Sequence, residues 1–330
     1  MTARDVSAPG KAFLCGEYAV LSGAPAIVAA VGRRVIARWD RRSPKTTLLR
    51  SEARATIAAA QEDFGEPPYH LSLDTRRLYE GPNKLGLGSS AAVAAATAAA
   101  VAAAHGHDLN EREVIDRVFA TALRGHSAVA PQGSGADVAA ATYGGYLWIE
   151  RRCGELRVQP IEPPSSLVCL LIWTGQSART SDLLARVSRL EALAPKIHDR
   201  CLAMLKQHAT EFVHAFRSDD GRGIIEKARE YNACMSALGV AAQAPIVNTE
   251  LRRAAEWADW HGGAAKPCGA GGGDLGVAFF LNRNAAQEFA ALCEKNGLAQ
   301  VQVEWGSEGV KTLREGGDTV GFSERGAPGA

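Results

Sequence analysis

Apolar and polar positions along the chain predict both strands and helices in its first half and a long helical block in its second. Val6-Ser7 and the apolar segment 12–14 flank Pro9-Gly10, a pair that favours a turn. Residues 26–37, AIVAAVGRRVIA, predict a strand pair broken near Gly32. Residues 40–80 are mixed and polar and assign no element. The near-continuous alanine of residues 88–104 predicts a helix, because alanine loses least on entering one. A second helix is expected over 110–123, with Asn110 as N-cap and Glu113 completing a capping box. Residues 145–150 and 167–174 read as strands. Residues 181–262 read as a helical block, interrupted near Pro195, at 219–223 and at 243–245. A strand over 275–281, a helix over 284–295 and a short strand over 299–304 follow. The Gly-rich tail after Thr312 is expected to be disordered at its end. Strand, helices, strand, helix, strand implies an α+β layer, and the prolines at 160–164 suggest a boundary.

Length then bears on domain count. At 330 residues the chain predicts about two domains, 1–164 and 165–330. It is 46% hydrophobic and 22% charged, enough apolar material for a large core. The formal net charge of +1 gives no electrostatic reason to expect nucleic acid or an anionic membrane as partner. Seven cysteines without a CxxC pair predict unpaired thiols in a reducing compartment. The first residues lack a charged-then-apolar leader, and the alanine run is too short and weakly apolar to span a bilayer. A soluble cytoplasmic protein is the expectation.

Three glycine-rich loops carry the candidate chemistry. The first, Lys84-Leu85-Gly86-Leu87-Gly88-Ser89-Ser90-Ala91-Ala92, opens the alanine helix. A helix N-terminus has unpaired N–H groups and partial positive charge, and glycines let backbone curl around an oxyanion. Ser89 and Ser90 add hydroxyls suited to phosphate oxygens or Mg²⁺. A plain serine cap on a buried helix explains the same residues. The second loop is Gln132-Gly133-Ser134-Gly135-Ala136-Asp137, where Asp137 could equally cap the segment that follows. The third is Lys266-Pro267-Cys268-Gly269-Ala270-Gly271-Gly272-Gly273-Asp274, and its four glycines in five positions could form an anion nest. One such loop is weak evidence. Three together, with Lys and Asp at hand, favour phosphate chemistry.

Two other phosphate motifs fail. Residues 86–91 fit the dinucleotide pattern GxGxxG/A, and Asp108 lies twenty residues past Gly88. That motif needs a strand before the glycines and another before the acid; LYEGPNK and an alanine run supply neither. No GxxxxGK[ST] occurs, which excludes a Walker A loop.

Taken with Ala8-Pro9-Gly10-Lys11-Ala12-Phe13-Leu14-Cys15-Gly16-Glu17-Tyr18-Ala19-Val20-Leu21, the loops resemble the three motifs of the GHMP kinase superfamily, in order, over residues 8–281. Four details resemble its phosphomevalonate kinase family: GSGADVAAATYGG, the Asp274 that ends GAGGGD, WTGQSART at 173–180, and His126 where mevalonate kinases place a Mg²⁺-binding Glu. The chain is shorter than many phosphomevalonate kinases, and Ala136 replaces an often aromatic residue. Mevalonate or homoserine kinase activity, or a non-catalytic sensor, stays open.

The resemblance implies a ribosomal protein S5 domain 2-like N-terminal domain, a ferredoxin-like C-terminal domain and a cleft site between them. It implies ATP and Mg²⁺ as cofactors, (R)-5-phosphomevalonate as small-molecule substrate, and a monomer or homodimer. The catalytic pair would be Lys11 and Asp137. Lys84, Gly86, Leu87, Gly88, Ser89, Ser90 and Ala91 would hold ATP, with Ser90 as the metal contact. Lys11, Tyr18, Ser134, Gly135, Asp137, Ser177, Arg179, Thr180, Gly269, Ala270, Gly271 and Gly272 would hold the acceptor. His126 is expected to be a buried core histidine.

Overall fold

The computed structural model describes residues 4–40, 49–152 and 154–313. Its first sheet is wholly antiparallel. β1 (Val6–Cys15) lies between β12 (Lys311–Thr312) and β2 (Pro25–Asp40). The long β2 splits its other edge between β3 (His70–Asp74) and β6 (Tyr146–Arg152), and β6 pairs with β7 (Glu155–Ile161). A small hairpin joins β4 (Tyr79–Glu80) to β5 (Asn83–Lys84). α1 (Ser51–Phe64), α2 (Ser89–Ala104), α3 (Arg112–Val129) and α4 (Ala136–Tyr143) complete this half.

The Pro9-Gly10 turn does not form. β1 is continuous, and the irregularity is a β-bulge: Pro9 pairs with Arg34 but Gly10 pairs with Val31. The expected break near Gly32 is the other side of that bulge, inside one 16-residue strand. The Asn110–Glu113 capping box is also absent. Asn110 donates its N–H and Nδ2 to Asp108 Oδ1 at 3.0 and 2.7 Å, and α3 starts two residues later from Glu111.

α2 explains its composition. It contacts β1, β2, α1, α3 and α4, and fourteen of its sixteen residues are buried. Only small side chains let one helix meet five neighbours closely.

The second half has a four-stranded antiparallel sheet of β8 (Val168–Trp173), β9 (Ala264–Pro267), β10 (Leu275–Phe280) and β11 (Ala299–Val301). Its order is β11-β8-β10-β9, the 4-1-3-2 order of a ferredoxin-like unit. The first crossover holds α5 (Thr180–Leu193), α6 (Pro195–Arg217), α7 (Gly221–Ala241) and α8 (Thr249–Trp260); α9 (Arg283–Lys295) forms the second. The breaks between these helices fall where the sequence placed them. The apolar run of β10 is buried on both faces. Leu275, Val277 and Phe279 join the main core, whereas Ala278 and Phe280 pack in the cluster containing Trp257 of α8 and Phe289 of α9.

Residue 164 falls between β7 of the first sheet and β8, the first strand of the second. The chain later returns: Trp305 bridges to Val31, Glu308 to Gly144, and β12 pairs with β1. Of the Gly-rich tail, residues 314–330 lie outside the described residues. The six described cysteines are free thiols.

Candidate active site

The first loop is built against β1. Lys11 donates its main-chain N–H to Leu87 O at 2.9 Å, and its Nζ reaches Gly86 O at 3.4 Å. Gly10 permits this approach, since a Cβ there would lie 2.9 Å from Leu87 O. Gly88 is the N-cap of α2, in left-handed backbone at φ 73°, and no side chain caps the helix. The plain serine cap is therefore not what the loop makes. A Cβ on Gly88 would sit 2.8 Å from Lys11 Cγ, so glycine is demanded by both backbone and space. The first intrahelical bond runs from Ala92 N to Gly88 O, so the preceding N–H groups have no helical partner. This uncapped N-terminus beside a lysine fits a phosphate.

Ser89 is buried, and Ser90 is half-buried with its Oγ 3.2 Å from His126 Nε2. His126 is 5% exposed, so it is a buried histidine as expected, but its partner is the serine singled out for Mg²⁺. The hard hydroxyl oxygen of Ser90 is a donor of the type Mg²⁺ takes.

A cavity of about 140 Å³ gathers much of the predicted acceptor set: Lys11, Tyr18, Ser134, Asp137, Thr180, Gly269 and Ala270. The loops bring these together from both halves of the chain. Asp137 lies in the first turn of α4, and its Oδ1 accepts the Val138 N–H at 3.1 Å. Tyr18 donates its hydroxyl to Ala270 O at 2.5 Å; burial pushes its pKa upward, keeping it a donor.

Other predicted residues have different surroundings. Ser177 and Arg179 are exposed at the entry to α5 and, unlike Thr180, do not line the cavity. Lys84 is exposed on β5. Gly135 is the N-cap of α4, and a Cβ on it would press on Leu123 and Leu156. A Cβ on Gly271 would lie 2.1 Å from Ile246 O, and one on Gly272 2.9 Å from Leu183. Close packing accounts for these three glycines. Leu87 and Ala91 are buried in the core.

Sequence reading missed the pair that anchors the third loop. Glu17 Oε1 accepts from Lys266 Nζ at 2.5 Å and from the Gly269 N–H at 3.2 Å. Lys266 also donates to Pro267 O, and Tyr231 donates its hydroxyl to Glu17 O at 2.6 Å. Glu17 and Tyr18, adjacent in sequence, thus hold Gly269 and Ala270 from two sides. Both Glu17 and Lys266 stood inside quoted motifs, but 249 residues separate them and nothing local pairs them.

A larger cavity, of about 500 Å³, lies among β8, α9 and residues 300–305 and contains none of the loop residues. His208, Glu211 and Glu230 bring donor atoms within 4.8 Å on α6 and α7. There Lys227 Nζ, 3.1 and 2.8 Å from the two carboxylates, already supplies the cation.

A helix N-terminus without a side-chain cap, a buried lysine beside it and a small cavity lined from both halves of the chain form an arrangement that suits a phosphate. The chain belongs to the GHMP kinase family. The profile described as GHMP kinases N terminal domain matches residues 51–145, and that for GHMP kinases C terminal matches 212–297. The chain is 30% identical to the phosphomevalonate kinase of Streptomyces sp. strain CL190, over 93% of this chain and 95% of that one. It is 29% identical to the mevalonate kinase of Archaeoglobus fulgidus, over 88% of this chain and 98% of that one. Its fold matches Streptococcus pneumoniae phosphomevalonate kinase, solved in complex with phosphomevalonate and AMPPNP. The TM-score is 0.76 and the identity 21%, covering 91% of this chain and 99% of that one. Family and fold make this protein an ATP-dependent kinase. Among the described residues no helix is long and apolar enough to cross a membrane.

Proposed function

We propose that the chain transfers the γ-phosphoryl group of ATP to the phosphate of (R)-5-phosphomevalonate, giving (R)-5-diphosphomevalonate and ADP. The observation that carries this reading is the cavity in which Lys11, Ser134, Asp137 and Thr180 meet Gly269-Ala270 next to the α2 N-terminus. The similarity to the Streptomyces enzyme over nearly the full chain supports the acceptor.

A phosphate acceptor is already anionic at neutral pH, so the demand falls on charge neutralisation more than on a strong base. Lys11 is the cation between acceptor and γ-phosphate. Asp137 orients the acceptor or Lys11. Residues 86–91 cradle the ATP phosphates by N–H groups, with Lys84 at the rim. Mg²⁺ would be held by Ser90 and would neutralise phosphate charge. Tyr18, Ser134, Ser177, Arg179, Thr180 and the 269–272 loop surround the acceptor, with Gly135, Gly271 and Gly272 packed behind it so that the loops can come together. Residues 1–164 act as the ATP-binding domain and 165–330 as the C-terminal domain of a soluble cytoplasmic enzyme, monomeric or homodimeric.

The Archaeoglobus relative favours a second reading, phosphorylation of mevalonate itself. ADP release with Mg²⁺-ATP separates the two. Turnover with phosphomevalonate and not with mevalonate or homoserine is expected; turnover with mevalonate alone contradicts the proposal.

A further inference from the structure

Asp274 ends the third loop, yet it does not line the acceptor cavity. We propose that Asp274 is a positioning residue that registers the 174–178 loop of the second domain against the phosphate loop of the first.

Its bonds reach most of that segment. The Asp274 N–H donates to Gln176 O at 2.8 Å, and its carbonyl accepts from Thr174 N at 3.0 Å and Thr174 Oγ1 at 3.3 Å. Its Oδ1 accepts the Ala178 N–H at 3.1 Å, and Ser177 also hydrogen-bonds the carboxylate. Gly175, Gln176 and Ser177 are exposed, so this loop has little core of its own to offset its ordering entropy. Asp274 supplies the fixed partners.

The other side of Asp274 seats on the phosphate loop. A Cβ on Gly86 would lie 2.7 Å from Asp274 Cβ and 3.0 Å from its Cγ, so the two loops touch with no room for a side chain. Asp274 also adopts φ 44°, a left-handed conformation that costs a non-glycine residue about 1 kcal/mol or more. The fixed strand β10 begins at the next residue. Lys11 and Lys84 flank the carboxylate from β1 and β5 and favour its ionised form. Burial is the larger influence and raises its pKa above the ordinary value.

One residue therefore contacts the glycine loop at Gly86 and the segment leading to Arg179 and Thr180. The catalytic consequence rests on the acceptor assignment above, so the test begins with a readout that needs no acceptor. Hydrogen exchange is compared in the full, unliganded chain for Asp274→Ala and Asp274→Asn. The alanine variant is expected to raise exchange about tenfold over both 174–180 and 84–88. The asparagine variant, whose amide oxygen can take the same N–H, is expected to stay within about twofold of wild type. Unchanged exchange in Asp274→Ala, or equal loosening in both variants, overturns the proposal.

Gly86→Ala probes the contact from the opposite loop and keeps the test open should Asp274→Ala fail to fold. Loosening of 174–180 supports registration, and loosening confined to 84–88 contradicts it. In turnover, Asp274→Ala should raise KM for phosphomevalonate about tenfold while the ATP Kd stays within about twofold, and Asp274→Asn should recover most of the loss. Wild type inactive with phosphomevalonate would refute the acceptor assignment and leave the exchange result to decide the role of Asp274.

Discussion

Glu17 Oε1 and Lys266 Nζ meet at 2.5 Å between the two sheets, and the residues are 3% and 1% exposed. Glu17 lies two residues past the end of β1, and Lys266 lies on β9 at the head of the third glycine loop. Removing one partner leaves the other charge buried and unpaired, with a penalty of about 3–5 kcal/mol. Lys266→Met should lower unfolding free energy by that amount in urea titration. The Glu17→Gln, Lys266→Met double variant should recover part of it. Single variants within about 1 kcal/mol of wild type would show that the pair is not desolvated as described.

Gly88→Ala tests the phosphate cradle. Left-handed backbone and the closeness of Lys11 Cγ both oppose a side chain there. ATP affinity measured by calorimetry should fall about tenfold or more, with the fold retained by circular dichroism. Unchanged affinity would remove this loop from nucleotide binding.

Lys11→Met is expected to keep the fold and most ATP affinity while lowering kcat by roughly 10²–10³-fold, the scale seen when one charge-stabilising group is lost. A near-normal kcat in steady-state assays would refute the assignment of Lys11.

His126→Leu removes the partner of the Ser90 hydroxyl. Loss of a group that orients a metal ligand typically costs about 10–100-fold in metal affinity or activity. The Mg²⁺ concentration for half-maximal turnover should rise accordingly, and His126→Gln should restore part of the loss. An unchanged Mg²⁺ titration would reduce His126 to core packing.

Asp274 gives a pH dependence of stability. Burial raises its folded pKa, so its ionised form is disfavoured in the native state even with Lys11 and Lys84 nearby. The cost is absent below the unfolded pKa of about 3.9 and appears as pH rises through the folded value. The Tm difference between Asp274→Asn and wild type should therefore shift in favour of Asn between acid and neutral pH. A difference independent of pH would contradict the buried carboxylate.

Much of the second half was legible because its signals are local: Pro195, the glycines at 221 and 223 and the Gln243–Pro245 break separate four helices. The first half was less so. α1 buries Ala53, Thr56, Ala60 and Phe64, a helical stripe too small and polar to stand out. Gly10 suggested a turn, but its glycine answers a long-range contact with Leu87 that no local pattern encodes. Asn110 looked like a cap until Asp108, two residues earlier, claimed it. At the site, the motif glycines and Lys11 could be picked out one by one. The Glu17–Lys266 pair, the Ser90–His126 bond and the Asp274–Gly86 contact could not, because each joins segments brought together only by the fold.

The central claim, phosphoryl transfer from ATP to a phosphate acceptor, is tested most directly by ³¹P NMR of the reaction with Mg²⁺-ATP. With phosphomevalonate present, the account predicts ADP together with a new pair of mutually coupled resonances from a diphosphate ester, as the phosphomonoester signal disappears. A phosphomonoester formed from mevalonate, with phosphomevalonate left unchanged, would contradict it.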